Sequence, residues 1–515
     1  MKIIHENKRR WLGMKDLSKL TRLEERYTAA WLGRENEDCL WWQDKWWSWN
    51  KLNELALDCE RKLKKSGFEK GQRIAVLLPN CPMIFALSVA AWRLGGSIAP
   101  LNARTGVVNM ASTIKMLDPH SLIVAEESYE ATREPARAIG IPIVGSKLDA
   151  PMDEWVGRIG IPESEDYAIE FSTSGTTGNP KAVACYHSNI IDNINMIPHH
   201  VPNLISSDSI FLNVLPNFHT LGNNVAGLLP LLSGVRQTVI PSFVPVDNTI
   251  ESIKKSGCNV IIAVPTVMSF LIGALAKKDE YLKGIKLVMT GGDRLNTQMD
   301  ARCKKYLGVG ILEGYGLTEC SPVVAVSKTE ESKKLGMVGP CLKSYEVRIS
   351  DREGNPLGLH EEGVLWVKGA SVAPGYFRDS ENTKARYDRD WFNTGDVVQI
   401  DEDGYIKIVD RATDIIIVSG FNVYPQEVEA VLCEHPAVHS AIAVGETNKI
   451  AGEQVKAFII LKDGLEVTSR ELMNYCKERL SHYKVPRKIG FVKEYPLSAA
   501  GKVLRRELRE IKIVK

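Results

Sequence analysis

Short runs of branched and aliphatic residues alternate, along the first four hundred positions, with stretches whose apolar residues recur every three and four. RIAVLLP (73–79), SLIVAEE (121–127), NVIIAVP (259–265) and IKLVMTGG (285–292) have the length and composition of buried strands. NKLNELALDCERKLKKSG (50–67) has helical spacing, and Gly67 stands where such a helix would end. Strand and helix in alternation predict parallel sheets flanked by helices. The apolar run from Met83 to Trp92 is about half of what spans a bilayer, so it reads as a buried helix. The stretch WWQDKWWSW (41–49) is read as a packed hairpin instead of a ligand surface, because such rings more often belong to a core.

After about residue 340 the texture changes. SYEVRIS (344–350), GVLWVKG (363–369) and GYIKIVD (404–410) are short and punctuated by DREGNP and DEDG, which predicts a small antiparallel β unit. From Arg411 onward, the strands IAVG and VKAFIIL and two helical segments suffice for a small α+β domain. The expected class is therefore α/β. A large N-terminal domain, residues 1–410, holds parallel α/β sheets and the small β unit, and a small mobile C-terminal domain covers 411–515. A chain of 515 residues also exceeds what one core usually serves.

Composition narrows the partners. The 65 basic and 63 acidic side chains nearly cancel, so no whole-chain charge argues for nucleic acid or an anionic membrane. Ten cysteines from Cys39 to Cys476 include no C-x-x-C pair; they read as reduced, mostly buried thiols of a cytoplasmic protein. The start, MKIIHENKRRWLGMKDL, has no run of signal-peptide length, and Met14 is an alternative first residue. No transmembrane segment is expected.

The chemistry is concentrated in a few motifs. In FSTSGTTGNPK (171–181), hydroxyls, glycines and one lysine follow an apparent strand. Glycines allow close backbone approach, amides and hydroxyls donate to phosphate oxygens, and Lys181 adds a positive charge. Pro180 and Ala182 flank that lysine, which excludes the Walker pattern. In EGYGLTE (313–319), Tyr315 offers a flat ring for adenine, Thr318 a hydroxyl for a phosphate, and Glu319 the hard oxygen that Mg²⁺ prefers. Asp396 sits behind Gly395 in a turn of WFNTGD (391–396); a carboxylate there can accept from ribose hydroxyls, though taken alone it reads as a turn residue. No Ser-His-Asp order, paired carboxylates or H-E-x-x-H is present.

TSGTTGNPK resembles the phosphate loop of the adenylate-forming superfamily: acyl-CoA synthetases, aryl-CoA ligases, luciferases and peptide-synthetase adenylation domains. Further matches follow in the family's order, from about residue 40 onward. LPNFHTLG (215–222) resembles its acyl-pocket motif, EGYGLTE its adenine and magnesium motif, and WFNTGD its ribose motif. DRATDIIIVSGFNVYPQEVE (410–429) resembles its hinge and PLSAAGKVLRREL (496–508) its C-terminal lysine motif. The resemblance implies ATP, Mg²⁺ and CoA, with catalysis by Lys502, Thr318, Glu319 and His219. Thr173, Ser174, Gly175, Thr176, Thr177, Gly178 and Lys181 would bind ATP, with Gly291, Gly292, Glu313, Gly314, Tyr315, Gly316, Thr318, Asp396, Arg411 and Lys502. Glu319 would hold the metal, His219, Gly222 and Gly292 would line the acyl pocket, and Gly420 would lie beside the thiol tunnel. For His219, a buried histidine with satisfied nitrogens stands level with the pocket role. The block KVLRREL after the lysine reads as a solvated helix face.

Three departures from the family pattern stand out. Ala182 replaces the usual glycine after the loop lysine, Thr413 replaces a charged hinge residue, and Asp293 and Arg294 sit in GGDRL (291–295) where relatives carry small or prolyl residues. What the resemblance implies is activation of a carboxylic acid to acyl-AMP, with pyrophosphate released, and transfer to the thiol of CoA. The apolar stretch TLGNNVAGLLPLL and SPVVAV favour a fatty acid over an aryl acid. An acyl carrier protein as acceptor, an adenylate-only enzyme and a homodimer stay open, while a phosphoryl-transfer ATPase and a non-catalytic scaffold are disfavoured.

Overall fold

The computed structural model describes residues 19–102, 107–152, 155–158, 162–173, 181–293, 295, 297–351, 353–412, 414–418, 421–448, 452–497 and 503–513. The chain packs as two compact units. The first comprises Met1–Val347, Val367–Phe392 and Asp403–Ile406; the second comprises Arg348–Trp366, Asn393–Glu402 and Lys407–Lys515.

The first unit contains an eight-stranded and a six-stranded sheet. The eight-stranded sheet runs Val323–Val326, Ile311–Gly316, Leu287–Thr290, Val260–Ala263, Ile210–Asn213, Arg236–Val239, Asp38–Trp42, Lys45–Ser48. Its inner pairs are parallel and its two edge pairs antiparallel. One of those edges is the tryptophan stretch, a hairpin with Trp42 and Trp47 buried. The six-stranded sheet runs Ile143–Ser146, Ser121–Ala125, Arg73–Leu77, Ser97–Pro100, Tyr167–Thr173, Lys181–Tyr186, again parallel except at the last pair. The four predicted apolar runs are all strands of these sheets, and their continuous hydrophobicity follows from cover on both faces. Helices Val246–Ser256 and Pro265–Lys278 pack Ile250, Ile253, Met268, Leu271 and Ile272 against the larger sheet.

Local signals set the helix bounds. Ser48 accepts from Lys51 N to start helix Trp49–Lys65, whose last turn carries Lys62, Lys64 and Lys65, and Gly67 then takes φ +85°. Pro82 opens helix Pro82–Arg93, which is buried along nearly its whole length, as expected for Met83–Trp92. Among the described residues no helix is long and apolar enough to cross a membrane.

One ion pair lies where the apolar pattern alone predicts only packing. Arg73 Nε lies 3.3 Å from Glu170 Oε1, and the two side chains are 1% and 0% exposed. Ser97 Oγ donates to the same oxygen at 2.8 Å. Removing one partner of such a pair strands a buried charge, so the pair fixes strand Tyr167–Thr173, which carries the start of the FSTSGTTGNPK motif, against its neighbours.

The second unit has its own core and sheet. Strands Phe421–Val423, Ile416–Val418, Gly452–Leu461 and Val438–Asn448 lie in that order, with Lys488–Phe491 parallel to Gly452–Leu461. Val428 and Leu432 from helix Pro425–Cys433 and Leu472 and Cys476 from helix Ser469–Lys477 close one face. A Thr468–Glu471 capping box starts the latter helix. Residues 345–411, which are divided between the two units, supply five further strands in a sheet of their own, among them Tyr345–Ser350, Gly363–Gly369 and Ile406–Arg411.

Candidate active site

The phosphate-loop motif joins two paired strands. Thr173 ends the first, and its register partner Lys181 begins the second. Ser174, Gly175, Thr176, Thr177 and Gly178 lie outside the described residues, as does the side chain of Thr173. Lys181 Nζ donates to Asn382 Oδ1 at 2.5 Å and stands 5.5 Å over the Tyr376 ring. Ala182, the departure from the family glycine, is fully buried in the core formed with Ala75, Leu77 and Phe377, and its carbonyl accepts from Phe377 N. The methyl is a packing group there.

The glycines of the next motif exist because two backbones meet. A Cβ on Gly291 would stand 3.1 Å from Gly314 O, and one on Gly316 would stand 2.1 Å from Pro322 O. Gly292 takes φ +86°. Glu313 Oε1 accepts from Leu295 N at 3.4 Å, which ties the GGDRL turn to strand Ile311–Gly316. Tyr315 lies half-buried in that strand, paired with Ala325. Thr318 and Glu319 follow in a single turn of 3₁₀ helix, Thr318–Cys320. Glu319 Oε1 accepts from the Tyr376 hydroxyl at 2.7 Å, and Glu319 O accepts from Ala373 N at 2.8 Å. Burial and the adjacent Glu319 carboxylate raise the Tyr376 hydroxyl above the ordinary tyrosine value, so it stays a donor.

The acyl motif is brought to the same turn by amides. His219 is half-buried with its ring tilted against Phe218, and its carbonyl accepts from Asn223 N. Gly222 begins a buried π-helical stretch within Leu221–Leu228, where a Cβ would stand 2.3 Å from Pro216 O. Asn80 Nδ2 donates to Asn213 Oδ1 and Leu215 O, and Asn213 Nδ2 donates to Gln237 Oε1. Asn223 Nδ2 donates to Asn217 O, and Asn224 Nδ2 donates to Ser321 O just after Glu319. Sequence reasoning read this stretch as apolar and missed the amide network. Its only signal was the repeated asparagine in LPN and GNN.

In the second unit, Asp396 and Arg411 form one pair. Asp396 is 4% exposed at its side chain, and Arg411 Nε lies 3.1 Å from its Oδ1 while the guanidinium side chain is 54% exposed. Asp396 is not in a turn, as expected, but inside strand Trp391–Ile400; Gly395 takes φ +71° there and its carbonyl accepts from Ala412 N. Thr413, Gly420 and Lys502 lie outside the described residues, as does Arg294 of the first unit. Flanking Lys502, Leu497 bridges Val503 and Leu504 N donates to Pro496 O. The following helix, Arg505–Glu510, is not the solvated face expected. Arg505 donates to Glu429 and to Ala443 O, and Leu508 is fully buried. A guanidinium fork matching a carboxylate explains why a basic block turns inward.

The donor set bears on magnesium. Among the described residues no three His, Cys, Asp or Glu side chains gather as a metal cage. A single oriented carboxylate such as Glu319 fits Mg²⁺, which keeps waters and shares its remaining positions with substrate phosphates.

Residues 28–377 match the family model described as AMP-binding enzyme, and residues 427–502 match the AMP-binding enzyme C-terminal domain. A long-chain-fatty-acid–CoA ligase of Bacillus subtilis (strain 168) is 30% identical over 88% of this chain and 88% of its own length. Another, from Haemophilus influenzae, is 35% identical over 68% of this chain, and the match spans 63% of that relative. Among solved structures, o-succinylbenzoate coenzyme A synthetase from Bacillus subtilis, in complex with ATP and magnesium ion, superposes with a TM-score of 0.83. The two are 26% identical, and the match covers 94% of this chain and 99% of that one.

Proposed function

We propose, for a chain that belongs to the AMP-binding enzyme family, a working reaction of fatty-acid activation followed by transfer to CoA. An AMP-forming acid–thiol ligase is the activity that the family models and the ligase relatives support. In the first half-reaction a carboxylate oxygen of the acid attacks the α-phosphorus of ATP, a P–O bond forms, and pyrophosphate leaves. In the second, the thiol sulfur attacks the acyl carbon, and AMP leaves as the thioester forms.

We assign the phosphate loop with Lys181 to the triphosphate, Tyr315 to adenine, Asp396 and Arg411 to the ribose side, and Lys502 to the developing charge between the two anions. Glu319 would hold Mg²⁺, which when bound neutralises phosphate charge. The observation that carries this reading is the meeting, through Tyr376, of Lys181 from the phosphate-loop strand with Glu319 from the metal motif. The domain boundary is placed at Asp410–Arg411, and the reaction is assigned to the cytoplasm with CoA in preference to a carrier protein.

The long-chain-fatty-acid–CoA ligase relatives support the fatty-acid choice. The match to an o-succinylbenzoate synthetase keeps an aryl acid as the second reading. Pyrophosphate release across a panel of fatty and aryl acids, with and without CoA, tests both. Fatty acids should give the highest kcat/KM, and acyl-CoA should appear only with CoA. Preference for aryl acids would install the second reading, and orthophosphate in place of pyrophosphate would end both.

A further inference from the structure

Tyr376 stands outside every motif read from the sequence, yet its side chain touches two of them. Its hydroxyl donates to Glu319 Oε1 at 2.7 Å, and its ring lies under Lys181 Nζ at 5.5 Å. The segment that carries it is strapped down at both ends of the same site. Ala373 N donates to Glu319 O, Phe377 N donates to Ala182 O, and Tyr376 bridges Val183. Asn189 Nδ2 donates to Ala370 O and Val372 O and fixes the approach to this segment.

A second anchor comes from helix Ser380–Arg386. Asp379 caps it by accepting from Asn382 N, and Asn382 Nδ2 returns a bond to Asp379 Oδ2 at 2.7 Å. This leaves Asn382 Oδ1 as the acceptor for Lys181 Nζ. Thr383 Oγ1 accepts from Tyr376 N and donates to Asp379 O. A Cβ on Gly375 would stand 2.6 Å from Thr383 Cγ2, so the turn before the tyrosine closes on that helix. The geometry is that of a bracket: one short helix and one aromatic side chain hold the lysine and the carboxylate at fixed separation.

We infer that Tyr376, with Asn382, is a positioning device for the nucleotide site: Tyr376 aims the Glu319 carboxylate at Mg²⁺, and Asn382 aims Lys181 at the phosphates. The inference rests on the proposed roles of Glu319 and Lys181. With Oε1 engaged by Tyr376, Oε2 is the oxygen assigned to the metal. Partners that orient a metal ligand typically contribute about 10–100-fold to metal affinity.

Calorimetric titration of ATP in the absence of any acid, at stepped Mg²⁺ concentrations, separates the possibilities without turnover. Glu319→Gln, Tyr376→Phe, the double variant and Asn382→Ala are compared with the parent. Tyr376→Phe should raise the Mg²⁺ concentration for half-maximal ATP affinity by about 10-fold. The double variant should match Glu319→Gln alone, because the tyrosine acts through that carboxylate. Asn382→Ala should weaken ATP by the same factor at every Mg²⁺ concentration. If Glu319→Gln shifts the Mg²⁺ midpoint and Tyr376→Phe does not, or if the two shifts simply add, the inference fails while the reading of Glu319 stands. If Glu319→Gln shifts nothing, the reading of Glu319 fails and takes the inference with it. An Asn382→Ala variant that binds ATP like the parent overturns the lysine half. Loss of folded protein lowers the stoichiometry of the titration and leaves the Mg²⁺ midpoint readable.

Discussion

The Glu319 network of the first unit and the Asp396–Arg411 pair of the second are built on opposite plans. Glu319 is held at its side chain by Tyr376 and at its backbone by Ala373, in a turn reached through Gly316, where no Cβ fits. Asp396 is buried as deeply as a core residue, but the guanidinium beside it is half exposed. Next to that pair, Asp410 is a buried carboxyl held by the amides of Arg411 and Gln426. The contrast teaches that the first unit fixes charge by packing, whereas the second pairs a fixed carboxylate with a cation that has water as an alternative partner. The solvated arginine itself loses little on leaving, but its departure takes a cation from a buried carboxylate.

The largest expected effect falls on neither plan. Lys502→Ala should cut acyl-adenylate formation about 100–1000-fold, while thioester formation from supplied acyl-adenylate survives; unchanged adenylation would remove the lysine from the reaction. Gly316→Ala tests the packed plan directly. The added methyl meets a carbonyl that cannot yield, so a loss of about 2–3 kcal/mol in urea denaturation is expected, with a weakened Mg²⁺ dependence. A variant as stable as the parent would show that the turn can relax.

Asp410 tests the second plan through pH. Burial, opposed by hydrogen bonds from the Arg411 and Gln426 amides, pushes its carboxyl up to about 6 from the usual 3.8. The folded state then binds the proton more tightly than the unfolded state. This group therefore favours folding below about pH 4, and its contribution is lost as pH rises to about 6. Asp410→Asn should be more stable than the parent by roughly 2–3 kcal/mol at pH 7 and equal to it near pH 4. A difference that stays constant across that range would contradict the assignment. The smallest effect belongs to Arg411→Ala, which should weaken ATP binding a few-fold and lower stability by about 1 kcal/mol, between an exposed pair and a buried one. A large loss of stability would mean that Arg411 is as fixed as Tyr376.

The fold was legible wherever pattern repeats locally. RIAVLLP, SLIVAEE, NVIIAVP and IKLVMTGG became parallel strands because cover on both faces demands continuous apolar runs. Gly67 marked a helix end by its φ requirement alone. A candidate motif was legible where its residues are contiguous, as in EGYGLTE, which forms the end of one strand and the turn after it. The candidate site was not legible where two distant residues complete each other. Tyr376 and Glu319 are 57 positions apart, and nothing in APGYF marks one hydroxyl as a partner for a carboxylate. Arg505 was misread for the same reason: a basic block looks solvated until Glu429 is placed beside it. Asp396 was assigned to a turn on the strength of Gly395, whose left-handed φ occurs inside a strand.

The amides behind the acyl motif carry a consequence for how this protein can be altered. Asn80, Asn213 and Gln237 are linked side chain to side chain, and each gives and receives through its planar group once the bonds from Asn217 N to Asn80 and from Gln237 to Gly227 O are included. Exchanging any one for leucine removes a partner from each amide bonded to it, and the loss of Asn213 takes the donor from Gln237 Oε1. One-at-a-time screening would thus score each of these positions as costly. Concerted exchange of linked amides is the route by which this network can be replaced, so the neutral paths away from it run through simultaneous replacements. Libraries built on adjacent pairs, Asn80 with Asn213 or Asn213 with Gln237, will reach variants that a site-saturation scan never samples.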